Sequence, residues 1–178
     1  FSPCLFFLLV ALVRLVAGPS LGFGFANVDD ADSVTQNPAV TQGLTVHGFI
    51  WAFTHFHAAN WHPLTWISHM LDCQIYGLRP RGHHLTNVLL HSATAVTLFL
   101  ALRGMTRALW PSAFVAAVFA VPPLRADSVV WIAERKDLLS GCFLDCALVS
   151  SLPTTPRPRR GHSPPSTPTL LGSLVAHP

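Results

Sequence analysis

The chain has 178 residues, of which 51% are hydrophobic and only 11% charged, against about 25% charged in ordinary soluble domains. Together with a mean hydropathy of +0.45, this composition points to a membrane protein. The net charge of +3 is spread over short loops and the C-terminal stretch, which excludes a basic stripe for nucleic acid. The four cysteines form no CxxC pair and no disulfide framework.

The first apolar run, Cys4 to Val16, is broken only by Arg14 and is shorter than the ~30 Å hydrocarbon core. It reads as a truncated span or a signal-peptide core. The span is preferred, because no basic region precedes the run and no small-residue cleavage site follows it. Since the chain starts at Phe1 rather than Met, inside an apolar run, it reads as a fragment. Beyond it come Asp29 and Asp30, with Asp32 close behind. Adjacent carboxylates at a membrane exit can hold a metal, or one can act as a general base; a solvated acidic turn is the plainer alternative.

Thr45 to Phe53 predicts a short helix with Thr45 as its N-cap. Trp61 to Ile75 predicts an amphipathic helix, with His62, Thr65, His69 and Asp72 on one face and Leu64, Ile67, Leu71 and Ile75 on another. Trp51, Trp61 and Trp66 suit a helix lying in the headgroup layer. The histidines do not read as a zinc site, because His83 and His84 are adjacent and His62 and His69 are two turns apart.

Leu85 to Leu102 carries no charge and is the clearest transmembrane run. His84, Asn87 and His91 share one face of it; that stripe lines a substrate cavity or bonds to a neighbouring helix. Leu109 to Leu124 predicts a third span ending at Pro122-Pro123, making a helical hairpin over 85–124. Arg103 and Arg107 mark the hairpin loop as cytoplasmic. The loops at 22–84 and 125–137 then share the extracytoplasmic side, after a first span over 1–21.

Trp131 to Asp137 packs four charges into a short loop, where Arg135 and Lys136 either hold a phosphate or pair internally with Glu134 and Asp137. A weak fourth span at 138–152 is interrupted by Asp145, and the Pro-, Ser-, Thr- and Arg-rich stretch 153–178 reads as disordered.

From Gly22 to Leu139 several ordered stretches carry a family resemblance. They are Asp29-Asp30, Trp51-Ala52-Phe53-Thr54, Asn60-Trp61-His62-Pro63-Leu64-Thr65-Trp66 through Asp72-Cys73, Gly82-His83-His84-Leu85-Thr86-Asn87 with His91, and Trp131 through Leu139. In these the chain resembles the membrane half of the TPR-containing O-glycosyltransferase-like proteins, the GT-C group that includes the transmembrane-and-TPR O-mannosyltransferases and their bacterial relatives. The resemblance implies an all-α, multi-spanning integral membrane fold in a bacterial inner membrane or the endoplasmic reticulum. It further implies sugar transfer, with inversion, from a polyprenyl-phosphate donor to a protein Ser or Thr hydroxyl on the extracytoplasmic face.

On that reading Asp29 and Asp30 are catalytic, while Arg135, Lys136 and His84 bind the donor phosphate. Asn87, His91, His62 and His69 line the cavity. The partners are the donor lipid, a protein acceptor and the bilayer, with no nucleic acid; no cofactor is implied, and assistance by a divalent metal is left open. The chain departs from the pattern at Pro122-Pro123-Leu124-Arg125-Ala126-Asp127, where the family shows His-Pro-Leu-His-x-Glu, and again after Leu144. By itself it is expected to be inactive. The alternative reading is a non-catalytic membrane binding or scaffold protein, or an inactive truncated copy.

Overall fold

The structure, a computed structural model, describes residues 3–26, 29–57, 60–121 and 129–152. The Pro122 to Asp127 stretch and the 153–178 tail lie outside the described residues. The described chain is helical, and its sole strand-like feature is an isolated antiparallel bridge between His57 and Asn60.

Helix α1 (Pro3–Ala17) is built from a Leu-, Phe- and Val-rich run and passes into a tight 3₁₀ turn, Gly18–Gly22, where Gly18 and Pro19 break the α-helical ladder. A helical segment from residue 29 widens to a π-turn over Ala31–Thr35. Next comes α2 (Pro38–Thr41), whose Ala39 N–H donates to Asn37 Oδ1 at 3.1 Å. Helix α3 (Val46–Thr54) starts where the sequence predicts, the Gly48 N–H donating to Thr45 Oγ1 at 2.9 Å. Helix α4 (Pro63–Tyr76) opens on a proline and closes at Gly77, whose φ of +63° favours glycine.

Helix α5 (Pro80–Thr106) is about 40 Å long at 1.5 Å per residue. Because it runs to Thr106, Arg103 belongs to its last turn, and only Arg107 and Ala108 connect it to α6 (Leu109–Ala120). Helix α7 (Arg135–Ser150) completes the fold.

Among the described residues, α1 with its 3₁₀ extension and α5 are long and apolar enough to cross a membrane. Helix α6, about 18 Å long, is too short to do so as a helix. The all-α expectation is therefore met, while more than two crossings are not established.

Helix α5 is the spine, packing against α1, α6 and α7. Small residues make this close approach possible: Ala95, Ala113, Ala116 and Ala120 are buried with Leu9, Val13, Val88, Phe99 and Leu138. At Gly82 a Cβ atom would overlap the Tyr76 ring, which fixes how tightly α5 leaves α4. A second core gathers Val34, Val40, Ala52, Trp66, Met70, Cys73 and Ile132 beneath the segment between α1 and α5. Trp66 is buried in this core, whereas Trp61 is half exposed. Large apolar side chains also face outward: Phe7 and Leu15 on α1, Trp110 and Phe114 on α6, and Leu64 and Ile75 on α4 are all exposed.

Candidate active site

Asp30 joins two distant parts of the chain. Its side chain is buried, Oδ2 accepting the Ala26 N–H and Oδ1 the Ala133 N–H, both at 2.8 Å. This brings the segment after α1 against the turn before α7, so the acidic pair and the Trp131 to Asp137 stretch do meet. Asp29 next to it is exposed and lines a cavity of about 200 Å³, together with Asp32, His62, His69, Glu134 and Lys136. The adjacent carboxylates therefore differ in use. Asp30 is committed to backbone donors, and Asp29 is open to a ligand.

Arg135 and Lys136 also part company. The Arg135 side chain is fully buried and contacts Asp72 Oδ2 at 2.6 Å. Its Nε donates to Asn87 Oδ1 at 2.8 Å, its Nη1 to Ser68 Oγ and its Nη2 to the His83 carbonyl, both at 3.0 Å. The other oxygen of Asp72 accepts from Thr86 Oγ1 at 2.8 Å, and His83 Nδ1 stands 3.5 Å from Oδ2. This network ties α4, α5 and α7 into one unit. Four of its five N–H groups are thus engaged within the fold and the side chain is fully buried, so Arg135 is not among the residues that line the cavity with Lys136. Burial lowers the Arg135 pKa from its usual value and the Asp72 charge opposes that shift. Lys136 lies on the cavity wall, its Nζ donating to Glu134 Oε1 at 3.1 Å.

The polar stripe on α5 also turns inward. His84 is buried with Nε2 donating to the Gly24 carbonyl at 3.3 Å, which holds the segment after α1 to α5 and keeps the ring off the cavity wall. Asn87 donates to the carbonyls of Val129 and Trp131 at 3.3 and 3.2 Å while accepting from Arg135. His91 Nε2 donates to the Ala120 carbonyl at 3.4 Å. Of the two roles open to the stripe, bonding to neighbouring segments describes Asn87 and His91, and the cavity is lined by His69 on α4 and His62 just before it.

His69 is the least satisfied group here. It is fully buried, yet neither ring nitrogen has a hydrogen-bond partner among the described residues. Burial first, then the charges of Arg135 and His83, push its pKa well below 6.5, so the ring is neutral at physiological pH. Trp66, one helical turn earlier and on the same cavity, has its Nε1–H buried and unpaired.

A second, more apolar groove of about 340 Å³ adjoins the first, sharing His62, Thr65 and Lys136. Trp61, Leu64, Leu139 and Phe143 form much of its wall. Among the described residues no cluster of three or more His, Cys, Asp or Glu is arranged to hold a metal ion. Sequence reasoning missed the brace made by Ser68, Asp72, Thr86 and Arg135, because its members are far apart in the chain and no local motif marks them.

The chain is similar to curated protein O-mannosyl-transferases. It is 34% identical to Protein O-mannosyl-transferase Tmtc1 of Drosophila melanogaster over 86 residues, covering 48% of this chain and 10% of that protein. It is 28% identical to Protein O-mannosyl-transferase Tmtc2 of the same organism over 150 residues, covering 79% and 16%. It is 26% identical to Protein O-mannosyl-transferase TMTC3 of Mus musculus over 150 residues, covering 80% and 16%. The matched stretch thus spans 10% to 16% of these relatives' own lengths. No family model and no solved structure matches the chain.

Proposed function

We propose that this chain forms the donor-side portion of a membrane O-mannosyltransferase site. The polyprenyl-phosphate sugar lies across the two adjoining cavities, and the acceptor is a protein Ser or Thr hydroxyl. The observation that carries this reading is the placement of Lys136 where the polar cavity meets the apolar groove. Such a boundary suits a molecule with a sugar at one end, a phosphate in the middle and a hydrocarbon tail at the other. Outward-facing apolar residues on α1 and α6 support a lipid surrounding.

In this reading the Asp29 carboxylate takes the proton from the acceptor hydroxyl as its oxygen attacks the anomeric carbon. The bond from that carbon to the phosphate oxygen breaks, the electron pair leaving with the polyprenyl phosphate, and a single in-line displacement inverts the centre. Lys136, released from Glu134, offsets the charge gathering on the departing phosphate. Asp30 positions Asp29 by bracing the loop, and the Arg135–Asp72 network holds α7 in register. The site faces the extracytoplasmic side, with the turn at Arg107 and Ala108 on the other.

The test uses a hybrid in which this segment replaces its counterpart in mouse TMTC3, assayed for mannose transfer from polyprenyl-phosphate mannose to a Ser/Thr peptide. Asp29→Asn is expected to lower transfer by at least about 100-fold with unchanged thermal melting. Asp30→Asn is expected to lower both, because an amide nitrogen would face a backbone N–H. Undiminished transfer with Asp29→Asn would refute the base assignment. The pairing of Lys136 with Glu134 favours a second reading, a non-catalytic membrane binding protein; an intact hybrid that folds and binds donor lipid without transfer would select it.

A further inference from the structure

Buried polar atoms in folded proteins nearly always have a hydrogen-bond partner, and one that lacks it calls for a physical reason. Two such side chains stand three residues apart on α4 and line the same polar cavity. Among the described residues the buried Trp66 Nε1–H has no acceptor, and both ring nitrogens of the fully buried His69 are unmatched.

What these atoms offer defines a ligand. The indole donates one hydrogen bond, and an imidazole with a single proton donates one and accepts one. A ligand that matches both must itself donate and accept, as a sugar hydroxyl does. The carboxylates around them point the same way: Asp29 and Asp32 accept hydrogen bonds from hydroxyls and repel anions. The cation on this wall, Lys136, is also shared with the neighbouring apolar groove. Trp66 is held by neighbouring rings, its centroid 5.9 Å from Trp51 and 5.6 Å from His57, so the indole is fixed in place before any ligand arrives.

We propose that Trp66 and His69 form a sugar-hydroxyl subsite that determines which sugar the cavity accepts, separate from the phosphate contact at Lys136. This rests on the glycosyltransfer reading above and adds to it the residues that recognise the sugar. Both act by binding and orienting the ligand; neither exchanges a proton with the reacting atoms.

The experiment titrates the full chain in detergent micelles with mannose 1-phosphate, mannose and inorganic phosphate. It follows the Trp66 indole N–H and His69 ring-nitrogen resonances, assigned with Trp66→Phe and His69→Gln. Mannose 1-phosphate and mannose are expected to move both resonances, and inorganic phosphate neither. His69→Leu and Trp66→Phe should each weaken mannose 1-phosphate binding about tenfold and leave inorganic phosphate binding unchanged, whereas Lys136→Gln should do the reverse for phosphate. His69→Gln, which retains a donor and an acceptor, should recover part of the affinity and controls for a packing defect in His69→Leu. Mannose 1-phosphate that binds while both resonances stay still defeats the subsite and leaves the donor reading standing. Inorganic phosphate that moves them equally marks an anion site and overturns the proposal. Failure of a folded chain to bind any sugar phosphate defeats the subsite and the donor reading together.

Discussion

Replacing Arg135 with Met separates a structural arginine from a ligand-binding one. The guanidinium is fully buried, contacts Asp72 at 2.6 Å, and makes three further hydrogen bonds to Asn87, Ser68 and the His83 carbonyl. Its removal leaves a buried carboxylate with only Thr86 as donor. Breaking a buried pair from one side costs about 3–5 kcal/mol, and a buried acceptor deprived of its donor adds roughly 1 kcal/mol or more. Met fills much of the vacated volume, so a cavity contributes little. Arg135→Met should therefore destabilise the chain by about 5 kcal/mol, a large share of the roughly 5–15 kcal/mol by which domains are stable.

Equilibrium unfolding in detergent micelles measures this loss directly. The double variant Arg135→Met with Asp72→Leu should recover most of it, because exchanging a buried ion pair for apolar side chains is close to neutral. A single variant within about 1 kcal/mol of the parent, or a double variant no better than the single one, would refute the bracing role and return Arg135 to the ligand.

His69 gives a pH signature. Its folded pKa lies well below 6.5 while the unfolded value stays near 6.5, so the unfolded chain binds the proton more readily. The contribution is complete above pH 6.5 and is lost as the pH falls from there toward the folded pKa. Stability of the parent should thus drop more steeply than that of His69→Gln between pH 7 and about 5, and parallel curves in a thermal melt series would contradict it. Sidedness is open to labelling: in a cysteine-free background, Arg107→Cys should react with an impermeant maleimide only from the cytoplasmic side, and reaction from outside would overturn the placement of the cavity.

Much of the helix pattern was readable along the chain because its causes are local. Thr45 caps α3 by bonding a residue three positions away, and a charge-free run makes α5 long and apolar, although α5 starts at Pro80, inside the stretch read as a loop. The spacing of His62 and His69 likewise put them on one helix face, and both border the polar cavity. The extent of α6 was less so: its apolar run continues in sequence, but the helix stops at Ala120, just before the proline pair.

The sequence by itself determined a helical chain with apolar runs suited to lipid and a polar face on α4, since propensity, capping and hydropathy act over a few residues. Which of two adjacent aspartates stays open, and which of two adjacent basic residues lies on the cavity wall, was decided only by tertiary structure. Asp29 and Asp30 are the same residue type at neighbouring positions, and what distinguishes them is the backbone N–H of Ala133, 103 residues away. Arg135 is withdrawn from the cavity by Asp72 on another helix. Such choices depend on contacts between elements that no spacing along the chain records.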